Sequence, residues 1–178
     1  MKEINIIDFG LMGKQISALF YLLGYEIGVY NKSKLNIYEF EKQIKLLQRK
    51  IDFSNFNAGK INIYQHIEDL KNSLTIESLN EDLNLKKEIM QILRDNNIVF
   101  SNSSSLSMDD LNCDFIHFFN TIYIKLIELC GSNLERFTPL KDLKKLGFHI
   151  ICSKGNRGAL ANLLLFNEIS SFFKIIEK

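Results

Sequence analysis

Ile6-Ile7-Asp8-Phe9-Gly10-Leu11-Met12-Gly13 stands near the start of the chain and reads as a buried strand that breaks into a glycine turn and then a helix. Ile4 to Ile7 form the apolar run of the strand. Met12, Ile16, Leu19, Phe20 and Leu23 fall on one face of the helix, which Gly24 ends. A strand followed by G-x-G-x-x-G and a helix is the dinucleotide fingerprint. Its glycines allow the tight turn and let a diphosphate approach the helix N-terminus, where free N–H groups and the dipole favour an anion. Gly10 and Gly13 hold the second and third places, and Asp8 holds the first. A carboxylate at that place repels a nearby diphosphate charge by ~1 kcal/mol even at full solvent screening. At the end of the second strand, where Asp or Glu normally accepts from the adenosine ribose, stands Asn31, an acceptor without charge. Asn31 specifies no 2′-phosphate site either, although Lys32 and Lys34 are nearby. Two glycines can equally make a tight turn in an α/β protein that binds no nucleotide, and this motif alone leaves both readings open.

Outward from this unit, short apolar strands alternate with helical stretches. Strands are expected at Glu26 to Tyr30, near Ile61, and at Leu74 to Glu77, Ile98 to Ser101, Phe115 to Phe118, Ile124 to Leu129 and His149 to Cys152. Helices are expected from Leu35 to Ile51, near Ile67, from an Asp82 cap to about Leu93, from Leu140 to Leu146, and from Gly158 to Ile176. This alternation predicts an α/β fold, a doubly wound and mostly parallel sheet covered on both faces.

The 178 residues suit one domain, or one domain with a short extension. A hydrophobic share of 46% and a charged share of 24% are ordinary for a globular protein. The net charge of +1 and the absence of a basic block argue against nucleic acid. Cys113, Cys130 and Cys152 are odd in number and scattered, which reads as reduced, buried thiols in a cytoplasmic protein, not as a disulfide frame or metal site. The first strand begins almost at Met1, leaving no room for a targeting peptide, and no apolar run reaches the ~20 residues of a membrane helix.

The exits of later strands carry the chemistry. Asn102-Ser103-Ser104-Ser105-Leu106, His117-Phe118-Phe119-Asn120 and Glu128 supply hydroxyl, imidazole, carboxamide and carboxylate groups. A domain that oxidises alcohols needs such a set. The imidazole takes the hydroxyl proton near neutral pH, and a carboxylate behind the ring fixes its tautomer and stabilises the imidazolium. Plainer readings stand beside this one. A histidine between apolar residues is usually a core histidine, and Ser103 to Ser105 also suit a polar turn with a helix cap at Ser107. Glu77 suits a strand-end residue without a ligand, Lys86 a solvated lysine unless Glu81 draws it inward, and His66 and His149 surface or structural positions.

Taken in order, Leu74-Thr-Ile-Glu77, Glu81, Lys86, Ile98-Val-Phe-Ser-Asn102-Ser-Ser104, His117-Phe-Phe-Asn120, Glu128 and Gly158-Ala-Leu-Ala-Asn162 resemble the NAD-binding Rossmann domain of L-3-hydroxyacyl-CoA dehydrogenases, collinearly over essentially the whole chain. The resemblance implies His117 as the catalytic base, Glu128 as its partner, and Ser104 and Asn162 at the substrate oxygen. It places Asn120, Glu81 and Lys86, with Gly10, Gly13 and Asn31, around NAD. It also implies an acyl-CoA substrate and fatty acid metabolism. Thr121, Arg157, Ala159 and Leu163 depart from the family's motifs, as do Asp8 and Asn31. The expected division is a dinucleotide-binding domain over 1–157 and a terminal helix over 158–178. That helix leads toward the helical domain that the family usually adds and this sequence does not contain. It is apolar on more than one face, which predicts cover by a second copy or by a separately encoded helical domain. The alternative is a decayed or repurposed Rossmann domain with weak or no cofactor binding and no turnover, acting as a subunit. A dehydrogenase of small β-hydroxyacids is a third possibility, disfavoured because those enzymes rely on a lysine where this chain offers His117 and Glu128.

Overall fold

Runs of Ile, Val and Leu too short for helices form the central strands, and the longer amphipathic stretches between them form the layers that cover the sheet. The computed structural model describes residues 2–32, 35–93, 97–154, 160, 164 and 167–169. In chain order the elements are β1 (Glu3–Ile7), α1 (Leu11–Leu22), β2 (Glu26–Tyr30), α2 (Ile37–Gln48), β3 (Lys60–Tyr64), a 3-10 turn (Ile67–Asp69), β4 (Leu74–Glu77) and α3 (Leu83–Leu93). Then follow β5 (Ile98–Ser101), α4 (Met108–Leu111), β6 (Asp114–Phe118), β7 (Leu126–Cys130), a second 3-10 turn (Leu134–Arg136), α5 (Leu140–Lys145) and β8 (His149–Ser153).

The eight strands form one sheet in the order β3-β2-β1-β4-β5-β6-β7-β8. β1 to β6 run parallel, β7 turns antiparallel against β6, and β8 pairs parallel with β7. This is the expected doubly wound, mostly parallel Rossmann sheet. The order reverses between β1 and β4, the switch point outside whose strand ends ligands bind in open α/β sheets. The larger core lies on one face, where Phe20 of α1, Phe40 and Leu47 of α2 and Leu143 of α5 bury Ile4, Ile6, Phe118 and Ile127. Each such side chain stabilises the fold by roughly 1.5–3 kcal/mol. On the other face α3 places Ile89 and Leu93 over Ile7, and α4 places Leu111 over Phe115 and Cys130.

Several boundaries differ from expectation. α2 covers Ile37–Gln48, not Leu35 to Ile51; the Asn36 side chain caps it by accepting from the Glu39 N–H at 3.3 Å. Its apolar pattern ran on because Ile51 and Phe53 are also buried, but from an irregular segment. The element near Ile67 is only the 3-10 turn. β7 begins at Leu126 because the N–H groups of Tyr123 and Ile124 both bond the Asn120 carbonyl, closing a turn. Ser107 does cap a helix, the short α4, in a reciprocal box with Asp110. The expected terminal helix falls mostly outside the described residues; those that are described at 160, 164 and 167–169 are helical.

Candidate active site

The turn after β1 keeps the backbone of the fingerprint. Asp8 sits at φ +76°, the left-handed region that favours glycine, and its N–H donates to the Tyr30 carbonyl at 2.9 Å. Gly13 lies so close beneath the turn that a Cβ there would be 2.1 Å from the Asp8 carbonyl oxygen. α1 opens with Gly10, which brings no capping side chain, and its first turn holds no acidic residue. The turn's own donors are engaged. The Gly10 N–H donates to Asp8 Oδ2 at 3.0 Å, and the Phe9 N–H donates to Asn31 Oδ1 at 3.0 Å.

Farther along the sheet, β6 and β7 bring the two expected catalytic positions together. His117 and Glu128 are direct partners in the antiparallel register, so their side chains leave the same face of the sheet. Phe118, between His117 and Phe119, points the other way and packs edge-on against Phe20 in the core. The His117 ring lies 4.3 Å from that of Phe119. Its Nδ1 is buried and meets no hydrogen-bond partner among the described residues. Burial pulls the imidazole pKa below its ordinary 6.5, a shift that the charges of Glu128 and Glu81 oppose. Glu128 is 3% exposed. Its Oε1 accepts from the Ser153 hydroxyl at 2.8 Å and from the Leu160 N–H at 2.9 Å.

Between these regions, the ends of β4 and β5 hold an ion pair with no solvent exposure. Lys86 Nζ lies 2.7 Å from Glu77 Oε1 and donates to the Leu79 carbonyl at 2.9 Å, while the Ser101 hydroxyl donates to Glu77 Oε2 at 2.6 Å. Lys86 is therefore not solvated, and Glu77, not Glu81, draws it inward; Glu81 Oε2 is 3.9 Å away. Glu81 instead gathers the serine loop. It accepts from the Ser103 hydroxyl at 2.7 and 2.8 Å, from the Ser104 N–H at 2.8 Å and from the Ser105 N–H at 3.3 Å. Burial raises the Glu81 pKa, and these donors together with Lys86 more than offset it, leaving the carboxyl below its usual value. Ser104 is half-buried at the loop. Asn120 builds its own turn, its Oδ1 accepting from the Ile122 N–H at 3.3 Å. Thr121, where the resembled motif has proline, is buried with its hydroxyl 3.3 Å from Gln15 Oε1. Asn162, with Gly158, lies outside the described residues.

The family model for the 3-hydroxyacyl-CoA dehydrogenase NAD binding domain matches residues 3–136. The chain belongs to that family. A curated relative, 3-hydroxybutyryl-CoA dehydrogenase of Clostridioides difficile, is 27% identical over 157 residues, covering 74% of this chain and 55% of the relative. The chain thus spans little more than half of that protein's length. Among solved structures, a 3-hydroxyacyl-CoA dehydrogenase of Archaeoglobus fulgidus superposes with a TM-score of 0.76 at 23% identity, covering 99% of this chain and 64% of that one. An NAD+-dependent dismutase that acts as a 5-dehydrogenase on a pyridine carboxylic acid superposes with a TM-score of 0.81 at 20% identity, covering 99% and 65%. Such likenesses carry the Rossmann fold; the family model carries the oxidoreductase family and its cofactor, NAD.

The residues of this 3-hydroxyacyl-CoA dehydrogenase NAD-binding domain fit NAD in backbone and depart from it in one side chain. The close-set Gly13 and the uncapped start of α1 leave the cradle for a diphosphate, with the Asp8 carboxylate at its rim. The described residues hold no His, Cys, Asp and Glu cluster suited to a metal, and no helix long and apolar enough to cross a membrane. Not every cysteine is buried as expected. Cys130 is, and burial pushes the half-buried Cys113 thiol up to about 12, but Cys152 is exposed because β8 is the sheet's edge strand. Two contributors escaped the sequence reading. Ser153 positions Glu128 from across a strand pairing that no local pattern reveals. Glu77 was visible only as a carboxylate at the end of an apolar strand, nine residues before Lys86.

Proposed function

We propose that this domain serves an NAD-dependent 3-hydroxyacyl-CoA dehydrogenase, interconverting 3-hydroxyacyl-CoA and 3-ketoacyl-CoA in fatty acid metabolism. The observation that carries the reading is the register pairing of His117 with Glu128 on one face, with a buried ring nitrogen left unmet. NAD, when bound, supplies hydride transfer. The protein's part is to take the proton that leaves the substrate hydroxyl as hydride departs. Because Nδ1 is buried, Nε2 of His117 is the atom left to meet that hydroxyl, and Glu128 stabilises the positive ring that results. Ser104, on the loop that Glu81 gathers, and Asn162 hold the substrate oxygen. Lys86 acts from beneath that loop, through Glu77 and Glu81. We also assign residues 1–157 to the cofactor domain and the stretch from 158 to a helix that meets a helical domain or a second copy. Purified protein, with a helical domain supplied if needed, should reduce acetoacetyl-CoA with NADH, and His117→Ala should lower the rate about 10³-fold. Equal rates would refute the assignment.

A second reading has its own observation. Asp8 and Asn31 occupy two donors of the cofactor turn, as expected of a Rossmann domain repurposed as a subunit without turnover. Calorimetry with NADH separates the two: absence of heat at millimolar cofactor favours this reading.

A further inference from the structure

We propose that Asp8 is a built-in stand-in for the cofactor's diphosphate, a carboxylate that holds the glycine turn closed and must leave the Gly10 N–H before NAD can seat. The inference rests on the reading of this turn as the NAD site. Four features carry it. Asp8 occupies a left-handed position, φ +76°, that suits glycine best, so its side chain is not explained by backbone preference. The side chain folds back over the exposed turn, Oδ2 accepting from the Gly10 N–H at 3.0 Å. That oxygen lies 2.8 Å from where a Cβ on Gly10 would be, so it fills the space that the glycine leaves open for close approach of an anion. The adjoining start of α1 has neither a capping side chain nor an acidic residue, so the Asp8 carboxylate is the anion beside it. Gly13, pressed against the Asp8 carbonyl, holds the turn in place while the side chain alone moves.

The consequence is competition within one molecule. A dinucleotide diphosphate seeks the same donors and carries the same sign of charge, so binding has to displace the carboxylate and tolerate it nearby. Asp8→Gly removes acceptor and charge together and restores the residue that the backbone angle favours, so the variant is expected to fold. Asp8→Asn keeps the acceptor and the shape, and asparagine also tolerates this φ, but the charge is gone.

The test is affinity in the whole chain, by fluorescence titration with NADH and calorimetry with ADP-ribose and adenosine. Asp8→Gly should bind NADH and ADP-ribose about tenfold or more tighter than wild type, with Asp8→Asn between the two. Adenosine, which has no phosphate, should bind all three proteins alike. In the free protein the Gly10 amide should exchange with solvent faster in Asp8→Gly. If wild type binds NADH and Asp8→Gly binds no tighter, the proposal is overturned while the cofactor reading stands. An equal gain with adenosine overturns it as well. Failure of every variant to bind NADH would overturn both.

Discussion

The turn after β1 and the β6–β7 pair treat their polar groups in opposite ways. At the β1–α1 turn, donors that would meet a ligand are met by the protein: Asp8 takes the Gly10 N–H and Asn31 takes the Phe9 N–H. At the β6–β7 pair, a buried imidazole nitrogen is left without a partner while a carboxylate in register with it is bonded elsewhere, to Ser153 and Leu160. Leaving a buried polar atom unmet costs about 1–3 kcal/mol, so the second arrangement is maintained against its own local energetics. Under the proposed function, the cofactor side is closed and has to open, while on the proton-transfer side the buried Nδ1 leaves Nε2 of His117 for the substrate.

Between them, the Glu77–Lys86 pair is fully buried and bonded to the Leu79 carbonyl and the Ser101 hydroxyl. Disruption is therefore most severe there. Lys86→Ala, which strands Glu77 as an unpaired buried charge, should destabilise the fold by about 3–5 kcal/mol. Thermal denaturation should show a fall on the order of 10 °C for a chain of this size. Replacing both partners, Glu77→Leu with Lys86→Met, should recover most of the loss. A smaller change sharpens the catalytic side alone. Ser153→Ala frees Glu128 from one of its two donors and should lower kcat about tenfold with NADH affinity unchanged. It should reduce stability by about 1 kcal/mol, readable in a denaturant titration. On the cofactor side, Asn31→Ala should loosen the turn at a cost near 1 kcal/mol, with the Phe9 amide exchanging faster.

The smallest effect is in the pH dependence. His117 is held below its ordinary 6.5, so the folded protein keeps the ring neutral at pH values where the unfolded chain protonates it. Its share of stability is complete above about pH 6.5 and is lost as pH falls through the unfolded value toward the lower folded one. Stability of wild type minus that of His117→Phe should thus narrow on acidification below about pH 6.5. Under the proposed function, the oxidation rate should keep its full value at pH 7 and fall only on the acid side.

The sheet was legible because it depends on runs of apolar residues of strand length separated by capped helices; Gly24, Asp82 and the Glu26–Tyr30 strand fall where expected. What misled was apolar sequence without regular structure: Ile51 is buried beyond the end of α2, and Ile124 is an exposed apolar residue whose N–H closes a turn on Asn120 before β7 begins. The candidate residues could be named one by one from the sequence, but not their arrangement. Collinear motifs brought His117 and Glu128 forward, and the antiparallel turn of β7 put them side by side. The inward course of Lys86 depends on Glu77 reaching it from another element, and the hold on Glu128 depends on the register of β8, neither of which is encoded locally. That Asp8 would fold back on Gly10, and not merely crowd a ligand, required the turn's actual dihedral.

The proposed chemistry requires that the ring at 117 and the carboxylate at 128 act on each other in one compartment. An NMR pH titration of the His117 imidazole, in wild type and in Glu128→Gln, tests this without cofactor or substrate. The wild-type pKa should lie below 6.5 and drop further when the supporting charge is removed. A His117 titration that does not change in Glu128→Gln would contradict it.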